Sequence, residues 1–533
     1  MSCAAPVPSP RSRVPCARTA TRGTVRALRA AVVALMVLAA PAGAADDPAR
    51  DAVLELPHFV DEVRAAWGIP GVAVAVVQDG RVVYVGGAGR RDLEAGGEVS
   101  ARTVFSVGSA TKAFTAAAIG MLVDEGAVKL DQPVRAYLPE FELFDEYVAS
   151  HLTVRDLLAH RSGLERHDAV WYRSELGRQE LTERLRFLRP GLGLRERFLY
   201  NNLMYMVAGR VVERITGATW EEFVRRRIFE PLGMTRSTFG APPADEPDVA
   251  MPHAVDWNGA VIAVPRYDGW AVGPAISICS SADDMARWLQ LLQGKGVFNG
   301  RRLLTEATVE EMFTPQMAIS ALGPRELPIS SYGLGWFVES YRGRLMVSHA
   351  GSIDGFYSLV VLLPSDQLAV VVLTNASQHR VPEVVSRWVV DRFLGLPEIN
   401  WNARLAAQQE RLREERRAAE AAREAHRLTD TTPSVPLAAL AGRYRHPAYG
   451  DMNVVEAEGG LAATFHGMTG PLEHFQDDVF LFKVEGWGLR EEFVVRFQYA
   501  ADGAVSSLLS TLQDGLPPEV FLRLGSAASP PAP

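Results

Sequence analysis

Cysteine is scarce, three residues in 533, and two of them, Cys3 and Cys16, stand near the start of the chain. If that start is a removed leader, only Cys279 remains, and no intrachain disulfide can staple the fold. Within Ala275–Ser280, Cys279 reads as a small buried hydrophobe rather than a nucleophile. Long hydrophobic runs are also missing. The apolar stretch Ala30–Ala40 falls short of the roughly 20 residues a membrane helix needs. Positive charge is not in excess: 55 Lys and Arg face 63 Asp and Glu. That balance argues against nucleic acid and anionic membrane as partners. No His/Cys/Asp cluster has metal-ligand spacing, no cofactor is implied, and no internal repeat recurs.

What is present begins with residues 1–44. They hold six arginines (Arg11, Arg13, Arg18, Arg22, Arg26, Arg29) and no acid, then the short apolar run, Pro41 and Ala42-Gly43-Ala44. A basic start, an apolar centre and an A-x-A end describe a secretory signal peptide. An exported, periplasmic or extracellular protein is expected, with no membrane association once the signal is cleaved. Its loss would deepen the acidic excess.

The rest, in a chain 48% hydrophobic and 22% charged, has an ordinary globular balance. Residues 56–67 read as a helix ending at Gly68. Val72–Val77 and Arg81–Val85 read as strands joined by the Asp79-Gly80 turn. From about Ser106 to Phe313 the character is helical and loop-like, with Ser281 and Asp284 resembling a capping box for Ala282–Gln293. Strands return at Leu334–Glu339, Leu345–Ser348, Tyr357–Leu363 and Leu368–Thr374. The fold class expected is therefore α+β, an antiparallel sheet flanked by helices. Arg404–Arg427, without Gly or Pro, reads as an exposed charged connector helix. Short strands then follow at Met452–Glu456, Leu461–Phe465, Val479–Lys483, Glu492–Phe497, Val505–Leu509 and Val520–Leu524, the pattern of a small antiparallel β-barrel. The expected divisions are 1–44 signal, 45–398 main domain, 399–430 linker, 431–526 barrel and 527–533 disordered tail.

Three motifs carry chemistry. In Ser109-Ala110-Thr111-Lys112, Gly108 and the helix formers that follow place Ser109 near a helix start. A three-residue step then puts the Lys112 amine on the same face as the Ser109 hydroxyl. Serine needs a nearby base, and a buried amine can lose its proton at neutral pH. In Tyr200-Asn201-Asn202, a tyrosine beside a cationic lysine can have its pKa lowered, and the Asn202 amide can orient a substrate amide. The same tripeptide also reads as a helix cap. In His349-Ala350-Gly351-Ser352, at a strand end, the glycine would let a substrate lie against the strand edge. The Ser352 N–H would then be a second oxyanion donor beside that of Ser109. His160, in Leu157–Leu164, reads as a satisfied structural histidine.

Taken together, in this order and spacing, the motifs resemble the serine β-lactamase and penicillin-binding family over roughly residues 52–395. Tyr200 and Asn202 form Tyr-x-Asn, which looks like the class C branch with its related esterases and D-amino-acid peptidases. The resemblance implies Ser109 as nucleophile, with Lys112 and Tyr200 sharing general-base and general-acid work. It also implies substrate contacts at Asn202, His349, Gly351 and Ser352. The third motif departs from true lactamases, which carry Lys-Thr-Gly. Histidine is mostly neutral near pH 7 where lysine is a fixed charge, and His-x-Gly is similar to D-aminopeptidases and esterases. Leu440–Lys483, with Gly442-Arg443-Tyr444 and Tyr449-Gly450, looks like the lipocalin-like domain fused to such peptidases, and a covering role at the active site is implied by that likeness. The expectation is a serine hydrolase acting through an acyl-enzyme on a small-molecule or peptide substrate, as D-amino-acid peptidase or esterase. The alternatives are a class C-like β-lactamase, or a penicillin- or peptide-binding sensor that does not turn over.

Overall fold

Gly71–Gln78 (β1) is a run of β-branched and small residues, and all but the last are buried. Such a run suits a strand covered on both faces. Asp79 (φ 51°) and Gly80 (φ 72°) give the two left-handed residues of a tight hairpin turn into Arg81–Gly89 (β2). The computed structural model, described here for residues 48–242, 246–256, 259–320, 322–484, 491–513 and 515–525, sets β1 inside an eight-stranded antiparallel sheet. The expected signal peptide 1–44 and tail 527–533 lie outside the described residues. The later strands are Met317–Ser320 (β3), Ser330–Tyr332 (β4), Phe337–Tyr341 (β5), Arg344–Ile353 (β6), Phe356–Leu363 (β7) and Leu368–Thr374 (β8). They run in spatial order β3-β4-β5-β6-β7-β8-β1-β2. Val72 pairs with Thr374 and Gln78 with Leu368, so the sheet joins the two ends of the domain around a helical insert.

Alternation sends Val72, Val74 and Val76 to one face and Ala73, Ala75 and Val77 to the other. The first face packs on Pro48–Ala66 (α1) and Val381–Phe393 (α5). In α1, Ala52, Leu56, Val60 and Val63 form one buried stripe. The helix begins earlier than the expected residue 56 because that stripe does. The second face packs on the insert, whose centre is Thr111–Asp124 (α2). This helix is buried all round from Thr111 to Leu122, as a helix without a polar face must be. Asn202–Thr216 (α3) is capped by Asn201, whose Oδ1 accepts from Met204 N at 3.1 Å. Ala282–Gln293 (α4) is capped by Ser281, which accepts from Asp284 N at 3.2 Å. The expected capping box is half made. The Asp284 carboxylate accepts from Arg236 N and Ser237 Oγ instead, because a buried acid takes the nearest donors.

The charged helix runs Trp401–Ala425 (α6) and is not a free connector. Trp401 and Leu405 are buried, Trp401 Nε1 donates to Asp391 Oδ2 at 2.8 Å, and at the far end Arg423 pairs with Glu492. The middle turns are solvated. Beyond it lies a closed eight-stranded barrel of Gly442–His446 (β9), Gly450–Ala457 (β10), Gly460–Phe465 (β11), Met468–Gln476 (β12), Val479–Val484 (β13), Glu491–Tyr499 (β14), Val505–Thr511 (β15) and Glu519–Arg523 (β16). Strands β9 and β12 of the barrel, like β3 and β4 of the large sheet, lie outside the expected strands. In β12, Gly470-Pro471 interrupts the apolar alternation, and the glycine is there because a Cβ would meet Lys483 O at 1.9 Å. Tyr444, Met452, Phe465, Phe482, Phe497 and Phe521 are buried, and the barrel interior is filled by side chains, as eight strands allow. No helix among the described residues is long and apolar enough to cross a membrane.

Candidate active site

Val107-Gly108-Ser109-Ala110 turns into α2 through a short 3-10 segment, Gly108–Ala110. Gly108 has φ +51°, and a Cβ there would lie 3.0 Å from Ser352 N. A Cβ on Gly351 would lie 1.8 Å from Val107 O. Two glycines therefore let the turn that bears Ser109 rest directly on the face of β6. Ser358 Oγ, on the neighbouring strand, donates to Val107 O at 2.8 Å and pins that contact. Gly351 was expected to make room for a substrate; the room is taken by the Val107 carbonyl. Ser109 is half-exposed and Ser352 exposed, and the Ser352 backbone nitrogen lies 3.0 Å from the Cβ position of Gly108 in the serine's turn.

Lys112 is fully buried. Its Nζ lies 3.2 Å from Ser109 Oγ, 2.7 Å from Asn202 Oδ1 and 3.1 Å from Ala275 O. Ala275 is fixed to α2 by its neighbours, with Thr115 Oγ1 donating to Pro274 O at 2.6 Å. Burial pushes the Lys112 ammonium well below lysine's ordinary range, Arg166 pushes it further, and Asp168 opposes both. The chain contains four lysines, and this one is enclosed.

Tyr200 places its ring 4.7 Å from Lys112 Nζ. The residue is part-exposed, but its hydroxyl sits deep, and burial raises the phenol above its usual range while the Ser109 hydroxyl pulls the other way. The sequence pattern predicts a lowered phenol, and the structure reverses that. Burial outweighs the Ser109 hydrogen bond and Arg166, the two influences that lower the phenol. Asn202 also differs from expectation. Its Oδ1 accepts from Lys112 and its Nδ2 donates to Asp168 Oδ1 at 3.1 Å, so each end of the amide has a partner inside the protein.

His349 is buried in β6, with Nε2 2.9 Å from Tyr332 Oη and Nδ1 2.6 Å from Ala350 O. A carbonyl only accepts, so Nδ1 carries the proton and Nε2 accepts from the phenol. Burial, then the neighbouring Lys112, hold His349 down to about 3. It brings no charge to the site, and both nitrogens are used within the protein. His160 (φ 55°) accepts from Asn201 N on Nδ1 at 3.1 Å. Its ring packs on Tyr200 and Tyr332. It is structural but only half satisfied, since Nε2 finds no hydrogen-bond partner among the described residues. Cys279 is buried, with its thiol raised to about 11 by burial.

The structure thus gathers Ser109, Lys112, Tyr200, Asn202, His349, Gly351 and Ser352 in one place. It adds residues that sequence reasoning missed. Asp168 and Arg166 come from the loop after His160: Arg166 Nε donates to Asp168 Oδ2 at 2.6 Å, and its guanidinium lies 5.1 Å from the Tyr200 ring centre. Nothing in the spacing of this loop marks it. No group of three His, Cys, Asp or Glu among the described residues could hold a metal ion.

Residues 57–395 match the family described as Beta-lactamase, and residues 426–518 match a domain of unknown function. A fungal relative, the Unguisins hydrolase ungD of Aspergillus violaceofuscus, is 30% identical over 76% of this chain and 77% of its own. Among solved structures, the octameric penicillin-binding protein homologue from Pyrococcus abyssi superposes with a TM-score of 0.57 at 23% identity, covering 88% of this chain and 99% of that one. A D-stereospecific amidohydrolase from Streptomyces sp. superposes with a TM-score of 0.51 at 25% identity, covering 64% of this chain and 98% of that one.

Proposed function

This chain belongs to the beta-lactamase family of serine hydrolases, and on that premise we propose that it is an amide hydrolase of the D-amino-acid peptidase kind, working through an acyl-enzyme on Ser109. The observation that carries this reading is the setting of Lys112 Nζ, 3.2 Å from Ser109 Oγ with two fixed acceptors behind it. A neutral amine held this way spends its two protons on Asn202 Oδ1 and Ala275 O and turns its lone pair to the serine hydroxyl.

Ser109 Oγ bonds to the carbonyl carbon as its proton passes to Lys112, and the N–H groups of Ser109 and Ser352 hold the oxyanion. Tyr200, whose phenol keeps its proton, gives that proton to the leaving nitrogen, and the Lys112 ammonium replaces it. Water then attacks the ester by the same route in reverse and frees Ser109. One likeness favours an amide over a simple ester: a structural neighbour titled a D-stereospecific amidohydrolase. The uncharged His349 counts against a dedicated β-lactamase, which needs a permanent cation for the substrate carboxylate. Export is part of the proposal and rests on the pattern of residues 1–44.

Intact mass during turnover of a short p-nitrophenyl ester tests the core of the reading. A transient acyl adduct on the wild type, absent from Ser109→Ala, is the expected result; unchanged turnover in Ser109→Ala would refute it. Comparison of D-Ala and L-Ala p-nitroanilides then tests the stereochemical part, with preference for the L-form counting against it.

A further inference from the structure

The Asp168 carboxylate beside the catalytic amine is held from far along the chain. Asp168 follows His167, whose backbone is left-handed (φ 45°), and four contacts from the barrel secure this stretch. Gln513 Oε1 accepts from Asp168 N at 2.9 Å, across 345 residues. Tyr449 Oη lies 2.6 Å from His167 Nδ1. His466 Nδ1 lies 3.2 Å from Tyr172 O, and Gly467 N donates to Arg173 O at 3.1 Å. On the opposite side, Tyr172 Oη donates to Asp354 at the β6–β7 hairpin tip at 2.9 Å, and Arg173 pairs with the same carboxylate. The Asp168 carboxylate, further fixed by Trp171 Nε1 at 3.0 Å, is thereby presented to Asn202.

An amide has one donor end and one acceptor end. A carboxylate takes only the donor, so Asp168 obliges Asn202 to point Nδ2 at it and Oδ1 at Lys112. If the amide turned over, Nδ2 would donate into the lone pair of the neutral lysine, and Ser109 would lose its base. We propose that Asp168 is a positioning residue that fixes the Asn202 amide, and so the Lys112 lone pair, and that the barrel is the element holding Asp168 there. The inference rests on the acyl-enzyme reading given above. It makes the barrel a working part of the active site.

Among the described residues, several polar and titratable groups besides Ser109 surround Lys112. Arg166 and Asp168 come from this loop, Tyr200 and Asn202 from the start of α3, Tyr205 from α3 itself, His160 from the preceding loop and His349 from β6. Burial keeps both histidines and both phenols uncharged near neutral pH, which leaves Arg166 and Asp168 as the charges. Since Asp168 favours the protonated lysine, losing or displacing it moves proton loss from Lys112 to lower pH.

The test is kcat and KM for p-nitrophenyl butyrate across pH, on the full chain, for wild type, Asp168→Asn, Gln513→Ala and Glu473→Gln. Glu473 pairs with Lys483 on the barrel and is exposed. Asp168→Asn, which can accept either orientation of Asn202, is expected to lose roughly ten- to a hundredfold in kcat, the scale of a hydrogen bond to a charged group. Its KM should stay within about threefold, and its acid limb should move to lower pH. Gln513→Ala is expected to lose less and to move the limb in the same direction, and Glu473→Gln to match wild type. Should turnover be slow, the rate of Ser109 phosphonylation by a fluorophosphonate reads the same lone pair. A wild-type kcat in Asp168→Asn overturns the inference. So does a Gln513→Ala variant that is slower with its limb unmoved, because the barrel would then supply stability only. Activity persisting in Ser109→Ala would instead remove the acyl-enzyme reading, so the two failures are distinct.

Discussion

Replacing Gly351 by alanine asks whether the close seat of the nucleophile's turn on β6 sets the rate. The added Cβ would stand 1.8 Å from Val107 O and 2.6 Å from Ser358 Oγ. Real Cβ contacts below 3.0 Å are essentially absent, so turn and strand must separate by at least about 1.2 Å. The serine hydroxyl can swing aside; the carbonyl, two residues before Ser109, takes the turn with it. That displacement opens the gap between the Ser109 and Ser352 N–H groups. A misplacement near 1 Å costs on the order of a hundredfold, and losing one oxyanion donor costs roughly a hundred- to a thousandfold in kcat. The expected result is therefore a fall of about a hundredfold or more in kcat on a p-nitrophenyl ester. Overpacking should cost only about 1–3 kcal/mol of stability, so the thermal transition should persist. Gly351→Ala combined with Ser358→Gly relieves only the side-chain clash and should remain slow. A folded Gly351→Ala enzyme with wild-type kcat would show that the contact does not position the oxyanion donors.

The pH profile of kcat/KM should have its acid limb well below lysine's ordinary range, since burial and Arg166 both disfavour the Lys112 ammonium; a limb near pH 10 would contradict the neutral-amine scheme. No alkaline loss from phenol ionisation is expected up to about pH 10, because Tyr200 is raised by burial, and steady-state rates there check it. Stability should fall as pH drops. His349, held to about 3, and His379, held to about 4, stay neutral in the fold while the unfolded chain binds protons below about 6.5. Their contribution is full above that value and is lost toward their folded values, by up to about 1.4 kcal/mol per pH unit for each. Melting temperatures that do not change between pH 7 and 4.5 would count against it. Cys279, buried and raised to about 11, should ignore Ellman's reagent in the folded protein and react on denaturation; rapid labelling in native buffer would contradict its placement.

Much of the scaffold was legible because burial leaves a period in the sequence. The β-branched runs at Val72–Val77 and Leu368–Thr374, the Asp79-Gly80 turn and the alternating strands of the barrel all appear where their patterns stand. Strand β12 did not, since Gly470-Pro471 answers to a neighbouring carbonyl rather than to alternation. Ser109 and Lys112 were legible from helix geometry, one turn apart on a buried face. Asn202 and Gly351 were legible as site residues but not in what they touch, because sequence spacing cannot tell a group that meets substrate from one that meets its own protein. Asp168 left no mark at all. Its importance comes from a loop bent back on Asn202 and from a barrel residue 345 positions away, and neither has a periodic signature.

The pairing of β1 with β8 sets a timetable for the growing chain. The first hairpin, complete by Gly89, buries its inner strand only when Leu368–Thr374 arrives to lie beside it. At the usual elongation rates of roughly 5–20 residues per second, that is a wait of about a quarter of a minute to a minute. Through this interval a strand of seven buried apolar residues has one neighbour and one open edge, which is the state that self-associates. Synthesis of this protein therefore includes a long exposed phase, and a holdase occupying Gly71–Gln78 would act where the nascent chain is most vulnerable.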